Sequence, residues 1–219
     1  MNVKLIAVSK PVIEGINTGE DLISYCARVS NPTNQLNTAT APKLLGYCVK
    51  HEHWSPFEHA SMTVEIQTSR AIAAQILRHR SFTFQEFSQR YSPIQNIEPY
   101  ELRRQAHSNR QSSSEVIWEN ENGVFDIAED AINLAQKAYE QLLELGVARE
   151  CARMILPLTT QTTMYMTGSC RSFIHYIQLR TKLDTQKEHR IIALDIKDIF
   201  AKQFPCTSEA LGWIQVDSN

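Results

Sequence analysis

The stretch RHRSFTFQEFSQR, residues 78–90, is the most informative part of this chain for its fold and its functional site. It places three arginines, one histidine and one carboxylate in thirteen residues, where a globular chain usually shows apolar periodicity or a short turn. Three guanidiniums this close repel one another unless an anion lies among them, at a cost on the order of 1 kcal/mol for each pair near a wet surface. Because the planar guanidinium fork suits phosphate, the stretch predicts a pocket for an anionic ligand.

The common alternative for such a charge run is a solvated basic face. The aromatic side chains of Phe82, Phe84 and Phe87 argue against it, because apolar residues at a period of two bury one face of an extended segment. A pocket built into the fold is therefore the favoured interpretation.

Length predicts one domain over residues 1–219, and the strand and helix patterns along the chain predict a mixed α/β class rich in helix. The 219 residues are 42% hydrophobic and 21% charged, enough for a substantial core. The five cysteines are odd in number and widely spaced, which favours a reducing, cytoplasmic location over a disulfide framework. The start of the chain, Met1 to Val8, predicts a short strand and not a secretory leader, and no run reaches the roughly 18 apolar residues of a membrane helix.

Positive charge is concentrated in two windows. Residues 70–110 hold seven arginines against three glutamates, and residues 147–190 hold seven Lys or Arg against three acidic residues. Each window carries +4, so the rest of the chain carries −10 to give the net charge of −2. This split favours a focused anion site over a surface that coats nucleic acid.

Apolar periodicity predicts the main elements. Helices are expected over 19–27 and 41–50, from Phe125 to Gly146, around Arg153, and over 167–180 with Thr167 or Ser169 as N-cap. Alternation over 62–66 predicts a half-buried strand, after which a helix capped by Ser69 would present Gln75 and Arg78 on one side. The sequence TQKE at 185–188 predicts a capping box for a last helix before Pro205. The polar residues 93–123 predict a long loop or lid, with weak helical content near Tyr100 to Arg104.

Two other kinds of chemistry are weaker candidates. His51, His53 and His59 have a spacing that a zinc site can use, although hydrogen-bonding histidines at a strand entry are commoner, so no metal is expected. Cys170 precedes Arg171 at a predicted helix start, which can lower the pKa of a thiol. Cysteine is more often buried and inert, so a catalytic role for Cys170 is not favoured.

The second basic window places Arg171 and His175 on one helix face, at i and i+4. Arg180 lies nine residues after Arg171, about half a turn around an ideal helix. The two arginines are thus expected to face different partners. Ordinary ion pairs on a helix surface remain an alternative for both.

At these residues the chain resembles a known family, the flavin-dependent thymidylate synthases. Arg78-His79-Arg80, seven further residues and Ser88 are similar to the signature of that family. Similar segments in the same order are His53-x-Ser55-Pro56-Phe57-Glu58-His59, Arg153-x-x-Leu156-Pro157-Leu158 and Arg171-Ser172-x-x-His175-x-x-x-Leu179-Arg180. The resemblance covers most of residues 20–200.

The resemblance implies a reaction and its participants. dUMP would be reductively methylated to dTMP, with 5,10-methylenetetrahydrofolate as carbon donor and NADPH, through FAD, as hydride source. It also implies a homotetramer with shared active sites, and no nucleic acid or membrane partner. Since no G-x-G-x-x-G element is present, FAD would not be held in Rossmann fashion.

The resemblance also implies roles for residues at matched positions. Arg180 would be catalytic, as the activator of the uracil ring, in a reaction without a cysteine nucleophile. The residues implied to contact FAD are Ser55, Arg78, His79, Arg80, Glu86, Ser169, Cys170, Arg171 and His175. Those implied to contact dUMP are Gln75, Ile76, Leu77, Arg78, Glu86, Phe87, Ser88, Gln89, Arg90, Arg153 and Arg180.

The chain departs from the family pattern at two positions that matter. Thr83 replaces a serine of the signature, which keeps the hydroxyl, and Asp184 stands where the family often has a histidine. No role of that histidine is therefore transferred. Two alternatives of other classes are a nucleotide- or RNA-binding module that stacks bases on Phe82, Phe84 or Phe87, and a metal hydrolase using His51, His53 and His59.

Overall fold

The computed structural model describes residues 1–93 and 96–215, which form a mixed α/β fold rich in helix. The strands are β1 (Asn2–Val8), β2 (Ser61–Ser69), β3 (Thr83–Glu86), β4 (Arg103–Gln105), β5 (Ser113–Val116) and β6 (Gln161–Ser169). The helices are α1 (Gly19–Ala27), α2 (Ala41–Lys50), α3 (Arg70–Ile76), α4 (Val124–Glu144), α5 (Arg149–Ala152), α6 (Cys170–Arg180), α7 (Lys187–Gln203) and α8 (Pro205–Ala210).

The main sheet has the strand order β1-β2-β6-β3, and β4 and β5 form a separate antiparallel pair. Side chains alternate strictly along β2, where Met62, Val64, Ile66 and Thr68 are buried and their neighbours are half-buried. This alternation follows from the period of two in a strand, and it puts one apolar row on the core side. Strand β2 leads directly into α3, and β6 leads directly into α6, so both helices begin at a strand end.

The chain forms two compact units. Unit 1 comprises Met1, Gln67–Ile76 and Glu86–Met164, and unit 2 comprises Asn2–Ile66, Leu77–Gln85 and residues 165–215. In unit 2, α6 packs on α7, α7 packs on β1, and α2 packs on α8. The fully buried side chains there include Phe173, Ile177, Ile196 and Phe200, which supply the apolar area that stabilises this core.

In unit 1, the hairpin of β4 and β5 has Arg103 opposite Val116 and Gln105 opposite Ser113, with an irregular register between them. Helix α4 is the longest helix, and Tyr139 is its only buried residue, whereas Ile127 and Leu134 are largely exposed. The helix ends at Glu144, and Gly146 follows with a positive φ of 81°. A left-handed residue at this position satisfies carbonyls at the helix end, as the sequence predicted for Gly146.

Several predicted elements are confirmed, and four details are wrong. Helices α1 and α2 and strands β1 and β2 lie where the sequence places them, and Ser69 accepts from the backbone N–H of Ile72. Residues Arg103–Gln105 form β4, so the helical content expected at Tyr100 to Arg104 is absent there. The helix expected from Thr167 begins later, at Cys170, because Thr167 belongs to β6; Ser169, the other candidate, is confirmed as the N-cap of α6. Helix α7 has Gln186 as N-cap, one residue later than the capping box requires, and α3 ends before Arg78.

The expected lid over 93–123 contains the β4–β5 hairpin and a short 3-10 turn at Glu121–Gly123, while residues 94–95 lie outside the described part of the chain. Within the described residues, no helix is long and apolar enough to cross a bilayer. All five cysteines are free thiols.

Candidate active site

The predicted site residues fall into both units, and each group is described within its own unit. Unit 2 contains Ser55, Leu77, Arg78, His79, Arg80, Ser169, Cys170, Arg171, His175 and Arg180. Unit 1 contains Gln75, Ile76, Glu86, Phe87, Ser88, Gln89, Arg90 and Arg153.

A hydrogen bond joins the two most informative residues of unit 2. Arg180, the last residue of α6, donates from Nε to Nε2 of His79 over 2.9 Å. Because Nε2 accepts, it carries no proton, and the neutral His79 ring holds its proton on Nδ1. Burial, and after it the charge of Arg180, lowers the pKa of His79 to about 4. His79 is therefore a neutral acceptor for Arg180 at neutral pH.

Two buried residues stand behind this pair. The hydroxyl of Tyr176 lies 3.0 Å from Nε2 of His189, and the Tyr176 ring packs edge-on against His79 with centroids 4.9 Å apart. Burial lowers the pKa of His189 to about 3, with smaller effects of Arg180 and His79, and burial raises the pKa of Tyr176. Neither His189 nor Tyr176 was singled out from the sequence, since each matches an ordinary core position on an amphipathic helix.

The signature stretch is tied to the start of α6 through serines. Ser169 accepts from the backbone N–H of Ser172 over 3.2 Å and thereby caps the helix. The hydroxyl of Ser172 donates to the carbonyl of Ser81 over 3.2 Å. These bonds fix the residues that follow Arg78-His79-Arg80 against the first turn of α6.

Cys170 is fully buried, and its backbone N–H donates to the carbonyl of Ala60 over 2.7 Å. Burial, with smaller effects of Glu20 and Glu58, raises the pKa of its thiol well above the usual value. A protonated, buried thiol is not a nucleophile, in agreement with the low weight given to Cys170 from the sequence.

Arg171 and His175 share one face of α6, as their spacing predicted. Arg171 pairs with Glu58 over 3.0 Å, and the His175 ring packs edge-on against Trp54 with centroids 5.3 Å apart. Both partners lie in or next to the 3-10 turn Ser55–Glu58, which also holds the exposed Ser55. Arg171 and Arg180 thus have different partners, also as predicted.

In unit 1, Glu86 is held by two neighbours through one of its oxygens. Arg70 donates from Nη1 to Oε1 of Glu86 over 2.8 Å, and Thr162 donates to the same oxygen over 3.0 Å. Arg70 also donates from Nη2 to the carbonyl of Phe87 over 2.9 Å. Arg70 was missed as a site residue, because no local pattern distinguishes it from any arginine at a helix start.

Three buried side-chain nitrogens of unit 1 lack a hydrogen-bond partner among the described residues. They are Nε of Arg70, Nε2 of Gln89 and Nε of Arg153, and these are the only side-chain nitrogens of this kind in residues 1–93 and 96–215. An unsatisfied buried donor costs about 1–3 kcal/mol, so such donors in native proteins usually pair with an ordered water or a ligand. Gln89 and Arg153 both belong to the predicted dUMP set.

The other predicted residues differ in accessibility. Arg78, Arg80, Leu77 and Ser88 are exposed, whereas the side chain of Ile76 is fully buried and packs in the core. Arg90 pairs with Glu150 over 3.4 Å on the surface. Neither Arg78 nor Arg80 forms an ion pair within the described residues, so both cations are available to an anion.

The histidines at 51 and 53 lie with their ring centroids 6.0 Å apart, and the Tyr47 ring contacts His51 in a tilted arrangement with centroids 4.3 Å apart. In the part of the chain that the structure describes, no group of three or more His, Cys, Asp or Glu side chains is placed to hold a metal ion. These histidines take part in aromatic contacts at the surface.

Within unit 1, buried Nε atoms of two arginines and the amide nitrogen of Gln89 are donors that suit a ligand rich in acceptors. Residues 11–206 match the family model described as Thy1, thymidylate synthase complementing protein. The chain belongs to the Thy1 family.

Relatives and solved structures agree with this assignment. A probable flavin-dependent thymidylate synthase of Paramecium bursaria Chlorella virus 1 is 52% identical over 216 residues, covering 98% of this chain and 100% of that protein. A flavin-dependent thymidylate synthase of Synechocystis sp. is 50% identical over 217 residues, covering 97% of this chain and 100% of that protein. A crystal structure of the UMP/dUMP methylase PolB from Streptomyces cacaoi, bound with 5-Br dUMP, has a TM-score of 0.81 at 28% identity and covers 96% of this chain and 94% of that one. The resemblance and the mixed α/β fold class are confirmed, and these relatives give no support to the nucleic-acid-binding alternative.

Proposed function

We infer that this chain is a flavin-dependent thymidylate synthase, a methyltransferase that converts dUMP to dTMP. Its carbon donor is 5,10-methylenetetrahydrofolate, and NADPH supplies the hydride through FAD. Two flavin-dependent thymidylate synthases that are 52% and 50% identical over nearly the whole chain support this activity. The structural observation that carries it is the Arg180 guanidinium, which is fixed by a neutral histidine and not by a carboxylate.

The chemistry explains why such an arginine is needed. Uracil C5 becomes nucleophilic when negative charge develops on the ring, and a guanidinium beside the ring oxygen and nitrogen stabilises that charge. A carboxylate partner would neutralise much of the positive charge of Arg180, whereas neutral His79 leaves the full charge for the ligand. We propose Arg180 as the catalytic residue, with no enzyme cysteine attacking uracil.

The donor set of unit 1 supports a nucleotide site. We propose that the residues contacting dUMP are Gln75, Ile76, Leu77, Arg78, Glu86, Phe87, Ser88, Gln89, Arg90, Arg153 and Arg180. Ile76 is fully buried, so its part would be packing beneath the ligand. The unpaired nitrogens of Gln89 and Arg153 fit phosphate or carbonyl oxygens. Glu86 is oriented by Arg70 and Thr162, so that its second oxygen, Oε2, is left to accept from a sugar hydroxyl.

The residues proposed for FAD also fit that group. They are Ser55, Arg78, His79, Arg80, Glu86, Ser169, Cys170, Arg171 and His175. The exposed guanidiniums of Arg78 and Arg80 suit a pyrophosphate. Cys170 is fully buried and its backbone N–H already donates to Ala60, so it would support the site only through packing. FAD would supply the redox chemistry that carries the hydride from NADPH, and the residues of this chain would bind and orient the reactants.

We propose that the protein works as a cytoplasmic homotetramer with active sites shared among subunits. The free cysteines are typical of a reducing compartment. On α4, the apolar side chains of Ile127 and Leu134 are each 69% exposed, and exposed apolar surface of this kind marks subunit contacts. Light scattering of the purified protein should give about four times the 25.0 kDa of one chain.

The test of the activity is an absorption spectrum followed by a turnover assay. The purified protein should show flavin absorbance and release tritium from dUMP labelled at C5, and it should form dTMP only when the folate and NADPH are both present. A colourless protein that releases no tritium would exclude the activity, and a steep loss of RNA affinity with added salt would then favour the nucleic-acid alternative.

Arg180→Ala is the sharpest variant for the catalytic assignment. We expect kcat to fall by about 100- to 1,000-fold, as when one preorganised electrostatic group is removed, while flavin content and folding are retained. Gln178→Ala, at an exposed position of the same helix without a predicted role, is the matched control. Turnover of Arg180→Ala near the wild-type value would remove Arg180 from the catalytic role.

A further inference from the structure

Four side chains of unit 2 form a connected polar group, which we call the His79 network: Arg180, His79, Tyr176 and His189. Arg180 and Tyr176 lie on α6, His189 lies on α7, and His79 comes from the signature stretch. His189 has no exposed surface and Tyr176 is 1% exposed, so water has no access to the rear of the network. The mechanism above uses only Arg180 and His79 and leaves the two buried members without a role.

We propose that Tyr176 and His189 are positioning residues that act through His79 to fix the Arg180 guanidinium and keep its partner uncharged. This inference rests on the proposed function and adds residues to it that no family motif above includes. Two observations support these roles: the direction of the Arg180–His79 hydrogen bond, and the packing of Tyr176 and His189 beside His79.

The direction of the hydrogen bond sets the requirement. Nε of Arg180 can only donate, so Nε2 of His79 must keep its lone pair. A proton on Nε2 would remove the acceptor and place two cations about 3 Å apart, so Arg180 would leave its position. With Nε bound to His79, the two terminal NH2 groups of Arg180 remain for the ligand.

The packing behind His79 meets this requirement. Tyr176 covers the His79 ring edge-on at 4.9 Å, and His189 lies 6.3 Å from the same ring. No carboxylate forms an ion pair with His79 or Arg180 in residues 1–93 and 96–215, so nothing nearby favours protonation of His79. The charged or titratable groups that face it are Arg180, Tyr176 and His189, and Phe82 completes the contact at 6.5 Å. The lowered pKa of His79, about 4, agrees with this surrounding.

His189 in turn holds Tyr176 in place. The hydroxyl of Tyr176 is buried, and its 3.0 Å contact with Nε2 of His189 supplies its hydrogen-bond partner. Removing His189 would leave that hydroxyl unsatisfied, and Tyr176→Phe would take the hydroxyl away from Nε2 of His189. Either change leaves a buried polar atom without this hydrogen bond, which draws water into the core or turns a ring. Either response would hydrate His79, and hydration favours its charged form.

The experiment compares three variants of the flavin-bound enzyme: Tyr176→Phe, His189→Leu and His189→Gln. The first two break the Tyr176–His189 contact, whereas a glutamine amide can donate or accept and so restores a partner for the hydroxyl. For each, kcat and KM for dUMP are measured by C5 tritium release across pH, and His79 is titrated by NMR in protein with labelled histidine. Gln178→Ala serves as the folding and assay control.

We expect wild-type turnover to persist in acid until His79 is protonated near its pKa of about 4, since the neutral form exists above that value. In Tyr176→Phe and His189→Leu, the acid limb of kcat and the pKa of His79 by NMR should both rise toward about 6.5. At pH 7 kcat should fall by about 10- to 100-fold, with a smaller change in KM, as expected when a catalytic group is misplaced. His189→Gln should recover most of the loss.

Flavin content and thermal unfolding of each variant show whether it is folded. If His189→Leu does not fold, the comparison of Tyr176→Phe with His189→Gln tests the proposal. The proposal is overturned if folded Tyr176→Phe keeps both the wild-type acid limb and the wild-type pKa of His79. It is overturned equally if His189→Gln is as impaired as Tyr176→Phe. A wild-type enzyme that releases no tritium would refute the proposed function instead, and the NMR titration would still report on the network.

Discussion

Gly168→Ala tests how closely β6 approaches the signature stretch. A Cβ built on Gly168 would lie 2.4 Å from Cδ1 and 2.6 Å from Cε1 of the Phe82 ring. Carbon atoms that are not bonded keep about 3.5–4.0 Å between them, so the ring has to retreat by about 1 Å. The backbone of Gly168 is not in the left-handed region, so the close contact with Phe82, and not the backbone conformation, requires glycine here.

The structure indicates how much this retreat should cost. Phe82 is 9% exposed and packs against Phe173 at 4.9 Å and Tyr176 at 5.8 Å, so it has no free space to enter. Overpacking a core by one methyl group costs about 1–3 kcal/mol, and we expect about 2–3 kcal/mol because the contact is with a rigid ring. For a chain of this length about 1 kcal/mol corresponds to about 2–4 °C, so the melting temperature should fall by about 4–12 °C.

The assay is thermal unfolding of the flavin-bound protein at one fixed concentration, followed by far-UV circular dichroism. Gly46→Ala is the matched control, because Gly46 lies within α2 and its added Cβ would meet nothing within 4 Å. That control should be neutral or stabilised by up to about 1 kcal/mol, the usual advantage of alanine in a helix. Since Phe82 also contacts His79, kcat of Gly168→Ala should fall even where the protein is fully folded.

A double-mutant cycle separates this clash from other effects of Gly168. In a Phe82→Leu background the ring is gone, so Gly168→Ala should cost less than about 1 kcal/mol, which gives a coupling of about 1–2 kcal/mol. Equal costs of Gly168→Ala in the two backgrounds would refute the reasoning, since the ring would then not be the obstacle. A melting temperature of Gly168→Ala equal to the wild type would refute it as well.

Two further predictions concern the site. Arg70→Ala removes the hydrogen bonds to Glu86 and to the Phe87 carbonyl, so KM for dUMP in steady-state kinetics should rise by about 10-fold. Arg70→Lys should not restore KM, because an ammonium lacks the planar fork of a guanidinium. An unchanged KM in Arg70→Ala would contradict this role. Cys170 is fully buried, and burial raises the pKa of its thiol. Iodoacetamide at pH 8 should therefore modify Cys170 only after unfolding, which peptide mass spectrometry would show. Rapid modification of the native protein would disprove that the thiol is buried and protonated.

The sequence predicted those features of the fold that depend on local period. The i, i+4 spacing of Arg171 and His175 correctly placed both on one face of α6, where they meet Glu58 and Trp54. Alternation correctly placed β2, because its buried positions include valine and isoleucine. Strand β6 was missed, since two of its buried positions hold Met164 and Met166, and methionine favours helices.

Features that depend on pairing between distant segments could not be predicted. Arg70 became a site residue only because it meets Glu86, sixteen positions later, across elements whose pairing no local pattern encodes. Strand β4 was predicted as weak helix, because the arginines and glutamine of Arg103–Gln105 favour helices, whereas their strand geometry comes from pairing with β5. The role of His189 likewise depends on the packing of α7 against α6, which a hydrophobic period indicates but does not place in register.

The two arginines on α6 differ in what their partners do to the guanidinium charge. Arg171 pairs with Glu58, and both side chains are 43% exposed, so its charge is largely neutralised and screened in a surface ion pair of low energetic value. Arg180 instead donates to an imidazole that burial keeps neutral, so its charge is fixed in direction without being cancelled. The interpretation as an ordinary ion pair therefore holds for Arg171 and is wrong for Arg180. A positive charge that is oriented by a neutral acceptor is the arrangement that can stabilise negative charge on a ligand as it develops, because no reorganisation is needed when the charge appears.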